Sequence, residues 1–424
     1  MSTMARSGSA SQPARIGALD AIGRRIVHGA LDRLRVGRVV LDDRGVRRSF
    51  GDPSSDRVFL VRIRSNDFYR RVALGGALGA SESFMDAWWD CDDLAGLFAL
   101  LIENRAAMER VSSGIGPWIG ALASRIGYAL QANSRIGSRR NIAAHYDLSN
   151  AFFGLWLDPG MTYSCGVFGS PDATLEEAQR EKIDRACRKL DLRESDHLLE
   201  IGTGWGSAAI HAAREYGCRV TTTTISDQQH AYAEDRVRGL GLGDRITLLK
   251  SDYRDLTGRY DKVLSIEMIE AVGRRYLDAF FGAVGDRLAP DGLALIQAIT
   301  IREAHWARAS RQRDFLKKYI FPGSCLLSHA AMNRSMSRTG DLRVLDVEDL
   351  GPHYAETLRR WRSAFEDRIE DVRSLGFDGR FCRMWRYYFE YCEGAFEARH
   401  CSVSQILMDR SLARRAPIGD RSRR

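Results

Sequence analysis

Residues 198–229, LLEIGTGWGSAAIHAAREYGCRVTTTTISDQQ, constrain this chain more than any other stretch. An apolar run leads into three glycines at alternating positions, Gly202, Gly204 and Gly206. A helical pattern follows, and then the β-branched run 220–225. Strand, tight turn, helix and strand in this order make the first βαβ unit of a doubly wound sheet. Glycines there let the backbone turn sharply and let a ligand lie against it.

The spacing G-x-G-x-G differs from the G-x-G-x-x-G of dinucleotide folds, and Glu200 precedes the first glycine. Backbone N–H groups at a helix N-terminus suit a carboxylate, and a nearby acid suits an ammonium. The motif therefore fits a ligand with an amino-acid end, such as S-adenosylmethionine. Gly-rich strand ends also occur purely for packing.

Downstream, ITLLKSDYRDL, DKVLSIEMIEAVG and LALIQAIT read as further strands, the last preceded by a turn at Pro290-Asp291-Gly292. A helix covers 274–288, and another begins at the capping signature of residues 172–177 and runs to about Leu190. Alternation of strands and helices predicts a parallel sheet, with ligands at the carboxyl ends of its strands. Glu200, Thr224, Asp252, Tyr253, Glu270 and Gln297 fall at or near such ends, and the DKVLSI strand runs out into Glu267 and Glu270.

Length and charge set outer limits. A chain of 424 residues predicts two domains. The net charge of +8 favours an acidic partner, and by itself fits an anionic membrane surface as well as nucleic acid. The eight cysteines include no C-x-x-C pair, and residues 1–15 carry no apolar signal core, which predicts reduced thiols and a cytoplasmic protein. His, Cys and Asp are too dispersed for a zinc site, so no metal is expected.

Residues 1–14 read as a disordered tail and 15–105 as a small N-terminal α+β domain. Its first helix, 15–35, places Ile16, Leu19, Ile22, Ile26, Ala30 and Leu34 on one stripe, with arginines between them. That pattern is first a surface helix with a solvated face, and second a membrane-surface helix. Residues 106–138 read as a linker, 139–410 as the catalytic domain and 411–424 as a basic tail.

The segments HYDLSNAFFGLWLDPGMTYSC, EIGTGWGS, TTTISDQQ, SDYRDL, SIEMIEAVG, KYIFPGSCLLS and HYAETLRRW stand in collinear order over roughly residues 140–410. In these the chain resembles the cyclopropane-fatty-acyl-phospholipid synthases, a family that includes mycolic-acid methyltransferases and fatty-acid methylene- or methyl-branching enzymes. The resemblance implies a Rossmann-like, seven-stranded class I methyltransferase domain that uses S-adenosylmethionine. It implies that Tyr163, Ser164, Gly202 and Gly204 contact the cofactor, that Thr224 and Gln229 approach its ribose, and Tyr253 its adenine. It also implies a bicarbonate held near Cys165, Glu270, Ile299 and Tyr354, with Gln297 where many members carry His. Glutamine keeps a hydrogen-bond donor but cannot take a proton. Thr203 and Ala271 stand for a usual Cys and His.

The chemistry expected from that resemblance is demanding. An alkene is a weak nucleophile, so the donor methyl must be held at near-attack distance. Methyl transfer leaves a carbocation, which π-faces and anions stabilise away from water. A base then removes a proton, and which proton it removes decides between a cyclopropane ring and a methylene branch. Bicarbonate is the expected base, held by Cys165, Gln297 and Tyr354 and oriented by Glu270. The implied partners are unsaturated phospholipid acyl chains at an anionic inner-membrane surface, with a homodimer as the assembly and no nucleic acid. Two other readings stay open: methyl transfer to a small soluble acceptor, and a non-catalytic lipid- or nucleic-acid-binding protein.

Overall fold

A computed structural model of the chain describes residues 18–105, 148–410 and 413. The expected tail 1–14, the linker 106–138 and all but Ala413 of the basic tail lie outside the described residues.

The first layer contains α1 (Ala18–Leu31), β1 (Arg38–Asp43), β2 (Val46–Gly51), β3 (Val58–Ile63), α2 (Asp67–Met85), β4 (Trp89–Cys91) and α3 (Leu94–Glu103). Its four strands form one sheet in the order β2-β1-β3-β4. The expected stripe holds at Leu34, which is buried just past α1, but not at Ile22 and Ile26. Gly23, Val27 and Leu31 face inward, while Ile22 and Ile26 are exposed. The cause is Gly23: a β-carbon there would sit 2.7 Å from the backbone of Tyr69, so the helices meet along the glycine face. At the end of α2 and in β4, Phe84, Met85 and Trp89 are core.

The second layer begins with α4 (Leu175–Lys189), whose Thr174 and Glu177 form a reciprocal capping box as the sequence predicts. It continues through β5 (His197–Ile201), α5 (Ser207–Glu215), β6 (Arg219–Thr224), α6 (Asp227–Gly239), β7 (Ile246–Lys250), β8 (Tyr260–Ile266), α7 (Leu277–Arg287) and β9 (Leu288–Ile301). Then come α8 (His329–Thr339), β10 (Leu342–Asp349), α9 (Gly351–Asp367), α10 (Gly379–Glu397) and β11 (Cys401–Arg410). The sheet has seven strands in the order β10-β11-β9-β8-β5-β6-β7. Strands β9, β8, β5, β6 and β7 are parallel neighbours, and β11 inserts antiparallel between β9 and β10. This is the Rossmann-like architecture of class I methyltransferases.

The four threonines of β6 are all buried. Their β-branched chains suit a central strand, and each hydroxyl finds a hydrogen-bond partner. Thr222 donates to Glu200, and Thr223 to the carbonyl of Ser251. The expected turn at 290–292 is absent, because β9 runs straight through it. The irregularity is absorbed by a register shift opposite Tyr260 and Lys262. Gly292 is required there, since a β-carbon would lie 2.8 Å from the carbonyl of Asp261.

Helix α10 joins the layers. Tyr387 and Tyr391 on it pack edge-on against Phe98, and Arg383 lies 4.1 Å over the ring of Phe84 while bonding the carbonyls of Phe84 and Trp89. Its other side carries Trp385, Tyr388 and Phe389 toward Phe152, Trp156 and Tyr163. Among the described residues no helix is long and apolar enough to cross a membrane.

Candidate active site

The glycine turn after β5 is stitched to the neighbouring strand: the N–H groups of Gly202 and Thr203 both donate to the carbonyl of Thr223. Gly202 takes φ +102°, and a β-carbon on it would stand 2.9 Å from the Met268 side chain. Gly204, at φ +54°, has nothing within 4 Å of its β-carbon position and borders open space. That space is a cavity lined by all eight residues expected to meet the cofactor: Tyr163, Ser164, Glu200, Gly202, Gly204, Thr224, Gln229 and Tyr253. Thr224 donates to Gln229 at 3.1 Å, which orients that amide. The aromatic ring of Tyr253 is set edge-on to Phe280.

These residues fit S-adenosylmethionine. A fully buried carboxyl, Glu200, waits at the end that would receive an ammonium. Burial pushes it up to about 8, against the Thr222 hydroxyl and the Lys182 charge, which both pull it down. When bound, S-adenosylmethionine supplies an electrophilic methyl group. Gly202→Ala adds both strain at positive φ and a clash with Met268, about 1–3 kcal/mol together. We expect thermal melting to fall by a few degrees and calorimetry to show cofactor affinity falling on the order of tenfold or more.

Beside the cavity wall lies a second constellation. Of Cys165, Glu270, Gln297, Ile299 and Tyr354, expected to surround an anion, three converge on a side chain, while Ile299 bonds Glu270. That side chain is Glu267, the first residue after β8. Its Oε1 accepts from the Cys165 backbone N–H at 2.9 Å and from Gln297 Nε2 at 2.8 Å, and its Oε2 accepts from the Tyr354 hydroxyl at 2.6 Å. Gln405, paired in register with Gln297 across β9 and β11, donates to Gln297 Oε1 at 3.1 Å and so fixes the amide's orientation. The donors expected to hold bicarbonate are thus engaged by a carboxylate of the chain itself. A free bicarbonate does not fit this arrangement.

Two individual expectations change with it. The Cys165 thiol is completely buried, donates to the carbonyl of Gly166 and is held well above its ordinary range by burial, so this residue acts through its backbone N–H. The N–H of Ile299 is used by Glu270 Oε1. Glu270 Oε2 has no partner among the described residues. Burial, and then the neighbouring Glu267, push the Glu270 carboxyl up to about 8.

Sequence reasoning missed Lys182. Its ammonium is buried, donates to Ser164 Oγ at 2.6 Å, and is drawn toward its charged form by Glu267, Cys165, Asp158 and Glu200. Burial works the other way and lowers its pKa overall. The available signal was helical phase: Ala178, Gln179, Lys182, Ile183 and Ala186 form the buried stripe of α4. Among the described residues no group of three His, Cys, Asp or Glu side chains could hold a metal.

Residues 133–406 match the family described as mycolic acid cyclopropane synthetase. The tuberculostearic acid methyltransferase UfaA1 of Mycobacterium tuberculosis is 36% identical over 91% of this chain and 90% of its own length. The cyclopropane-fatty-acyl-phospholipid synthase of Escherichia coli K12 is 33% identical over 83% of this chain and 88% of its own. A solved structure of mycolic acid cyclopropane synthase CmaA1, complexed with SAH and CTAB, superposes with a TM-score of 0.60 at 31% identity, covering 64% of this chain and 97% of that one. The chain belongs to the mycolic acid cyclopropane synthetase family and is an S-adenosylmethionine-dependent methyltransferase.

Proposed function

We propose that this enzyme transfers a one-carbon unit from S-adenosylmethionine to the double bond of an unsaturated acyl chain of a phospholipid, closing a cyclopropane ring. One observation carries the reading: the cofactor cavity, at Tyr163, adjoins both a buried aromatic wall and a buried carboxylate pair. Tyr163 packs against Phe153, Trp156, Trp361 and Phe321 at ring separations of 5.2–6.2 Å. Aromatic faces and a negative charge stabilise a carbocation, whereas an amine acceptor brings its own nucleophile and needs neither. A methylene or methyl branch is the second product to weigh, because the relative matching 91% of the chain is a tuberculostearic acid methyltransferase.

The phospholipid reading places the enzyme on the inner face of an anionic membrane, as a homodimer. The net charge of +8 supports the anionic surface, as do the exposed Ile22 and Ile26 flanking Arg25 on α1. The test is lipid mass spectrometry in a host lacking its own synthase and fed oleate. We expect acyl chains heavier by one methylene unit that resist mild hydrogenation, and none with Glu270→Gln. A gain that hydrogenation alters assigns the branched product. No gain from soluble protein that binds the cofactor refutes alkene methylation.

A further inference from the structure

We propose that Glu267 is the base of this reaction, a carboxylate built into the chain at the place where a free bicarbonate would otherwise be held. The inference rests on the alkene-methylating reading above and names the group that completes it.

The first support is coordination. Three donors from three separate parts of the chain, the Cys165 N–H, Gln297 Nε2 and the Tyr354 hydroxyl, converge on the two oxygens of one carboxylate. Each donor is itself fixed. Gln297 is buried and oriented by Gln405, and Tyr354 lies against Phe396 with ring centroids 4.5 Å apart. A cradle this complete leaves no donor for a second anion.

The second support is backbone conformation. Glu267 adopts φ +49°, in the left-handed region that favours glycine. A strained, buried, ionisable residue at a strand's carboxyl end is a combination that folding alone disfavours. It persists here with its side chain directed into the donors, at the wall of the cofactor cavity.

The third is the division of charge between the two carboxyls. Glu270 has no donor from another side chain and keeps one bare oxygen, and burial with the neighbouring Glu267 pushes its carboxyl up to about 8, which favours the protonated form at neutral pH. Burial raises the Glu267 carboxyl too, but three donors and the nearby Lys182 pull against it, so of the two carboxyls Glu267 is the one built to hold the negative charge. A carboxylate so placed can first face the carbocation and then accept its proton.

The step balances. The alkene's π pair forms the bond to the transferred methyl as the carbon–sulfur bond breaks, leaving neutral S-adenosylhomocysteine and a cation on the acyl chain. A C–H bond of the new methyl then gives its proton to Glu267 and its electron pair to the ring-closing carbon–carbon bond. Glu267 returns the proton to solvent before the next turnover. No external base enters.

The test compares the intact protein with Glu267→Gly and Glu267→Gln, in carbon-dioxide-free buffer and with added bicarbonate. Carbon-13 bicarbonate line broadening provides a readout independent of turnover. Glycine suits the positive φ, so Glu267→Gly relieves strain and vacates the cradle, while Glu267→Gln fills it with an amide that cannot take a proton.

We expect the wild type to be indifferent to bicarbonate and to broaden no bicarbonate signal. Glu267→Gly should lose on the order of a hundredfold or more in rate, the scale of a general base, and regain activity saturably with bicarbonate, whose signal it broadens. Glu267→Gln should bind cofactor normally, turn over on the order of a hundredfold slower, and gain nothing from bicarbonate. A wild-type rate that collapses without carbon dioxide and returns with bicarbonate would overturn the proposal. So would full activity in Glu267→Gln, which also serves if the glycine variant does not fold. Should the wild type methylate no unsaturated lipid, it is the function above that fails, and the proposed base with it. Bicarbonate binding to Glu267→Gly alone would then still establish that the carboxylate fills an anion cradle.

Discussion

Replacing Lys182 with methionine is expected to lower stability by about 3 kcal/mol or more, and to abolish most methyl transfer. Methionine is an unbranched apolar chain and fills the space, so the loss isolates the charge. Lys182 is the buried cation that Glu200, Glu267 and Asp158 share, and it holds Ser164 in the cavity wall. Without it these carboxyls must either sit uncompensated in a low-dielectric interior or take up protons.

The pH dependence gives the sign. A carboxyl whose folded pKa lies above its unfolded value favours the folded state at low pH, and that contribution is lost as pH rises through the folded value. Glu200 already stands near 8, and removing Lys182 raises it further. The destabilisation should therefore be larger at pH 8 than at pH 6, read as a difference in urea midpoints. An equal loss at both values would show that Lys182 matters by packing alone.

The second large effect concerns cofactor affinity. Glu200→Gln should weaken S-adenosylmethionine binding on the order of tenfold to a hundredfold, the worth of a charge-assisted contact to an ammonium. The wild type should show a bell-shaped affinity profile. Below about pH 8 the Glu200 carboxyl must release a proton to meet the ammonium, so affinity rises with pH, by up to about tenfold per unit. Near and above that value the ligand's own amino group begins to lose its charge, and affinity falls again. Calorimetry in buffers of different ionisation heat counts the proton released. An acid limb that survives unchanged in Glu200→Gln would assign it to another group.

The strand-and-helix order around residues 198–229 was readable because local pattern and tertiary role coincide there. The capping box at Thr174 and Glu177 was readable for the same reason. The site was legible in part. Six of the eight cavity residues lie at the glycine turn or near neighbouring strand ends, so motif order places them together, while Tyr163 and Ser164 reach the cavity from the loop before α4. Glu267 was visible as a letter in SIEMIEAVG, but nothing local distinguishes it from Glu270 three residues on. What separates them is the positive φ at the end of β8 and donors that the fold gathers from positions 165, 297 and 354. Lys182 had the look of a surface lysine among charged neighbours, and only the docking of α4 on the sheet buries it. Likewise, the stripe of α1 turned on a glycine's capacity for close approach, which a hydrophobic period does not weigh.

Helix α10 also has consequences during synthesis. The aromatic faces of Phe84 and Phe98 are made early, yet their partners Tyr387 and Tyr391 leave the ribosome about 300 residues later. At ordinary translation rates of 5–20 residues per second the wait is roughly 15 to 60 seconds. For that interval the first sheet is an unfinished body with an apolar side open to solvent, to chaperones or to other nascent chains.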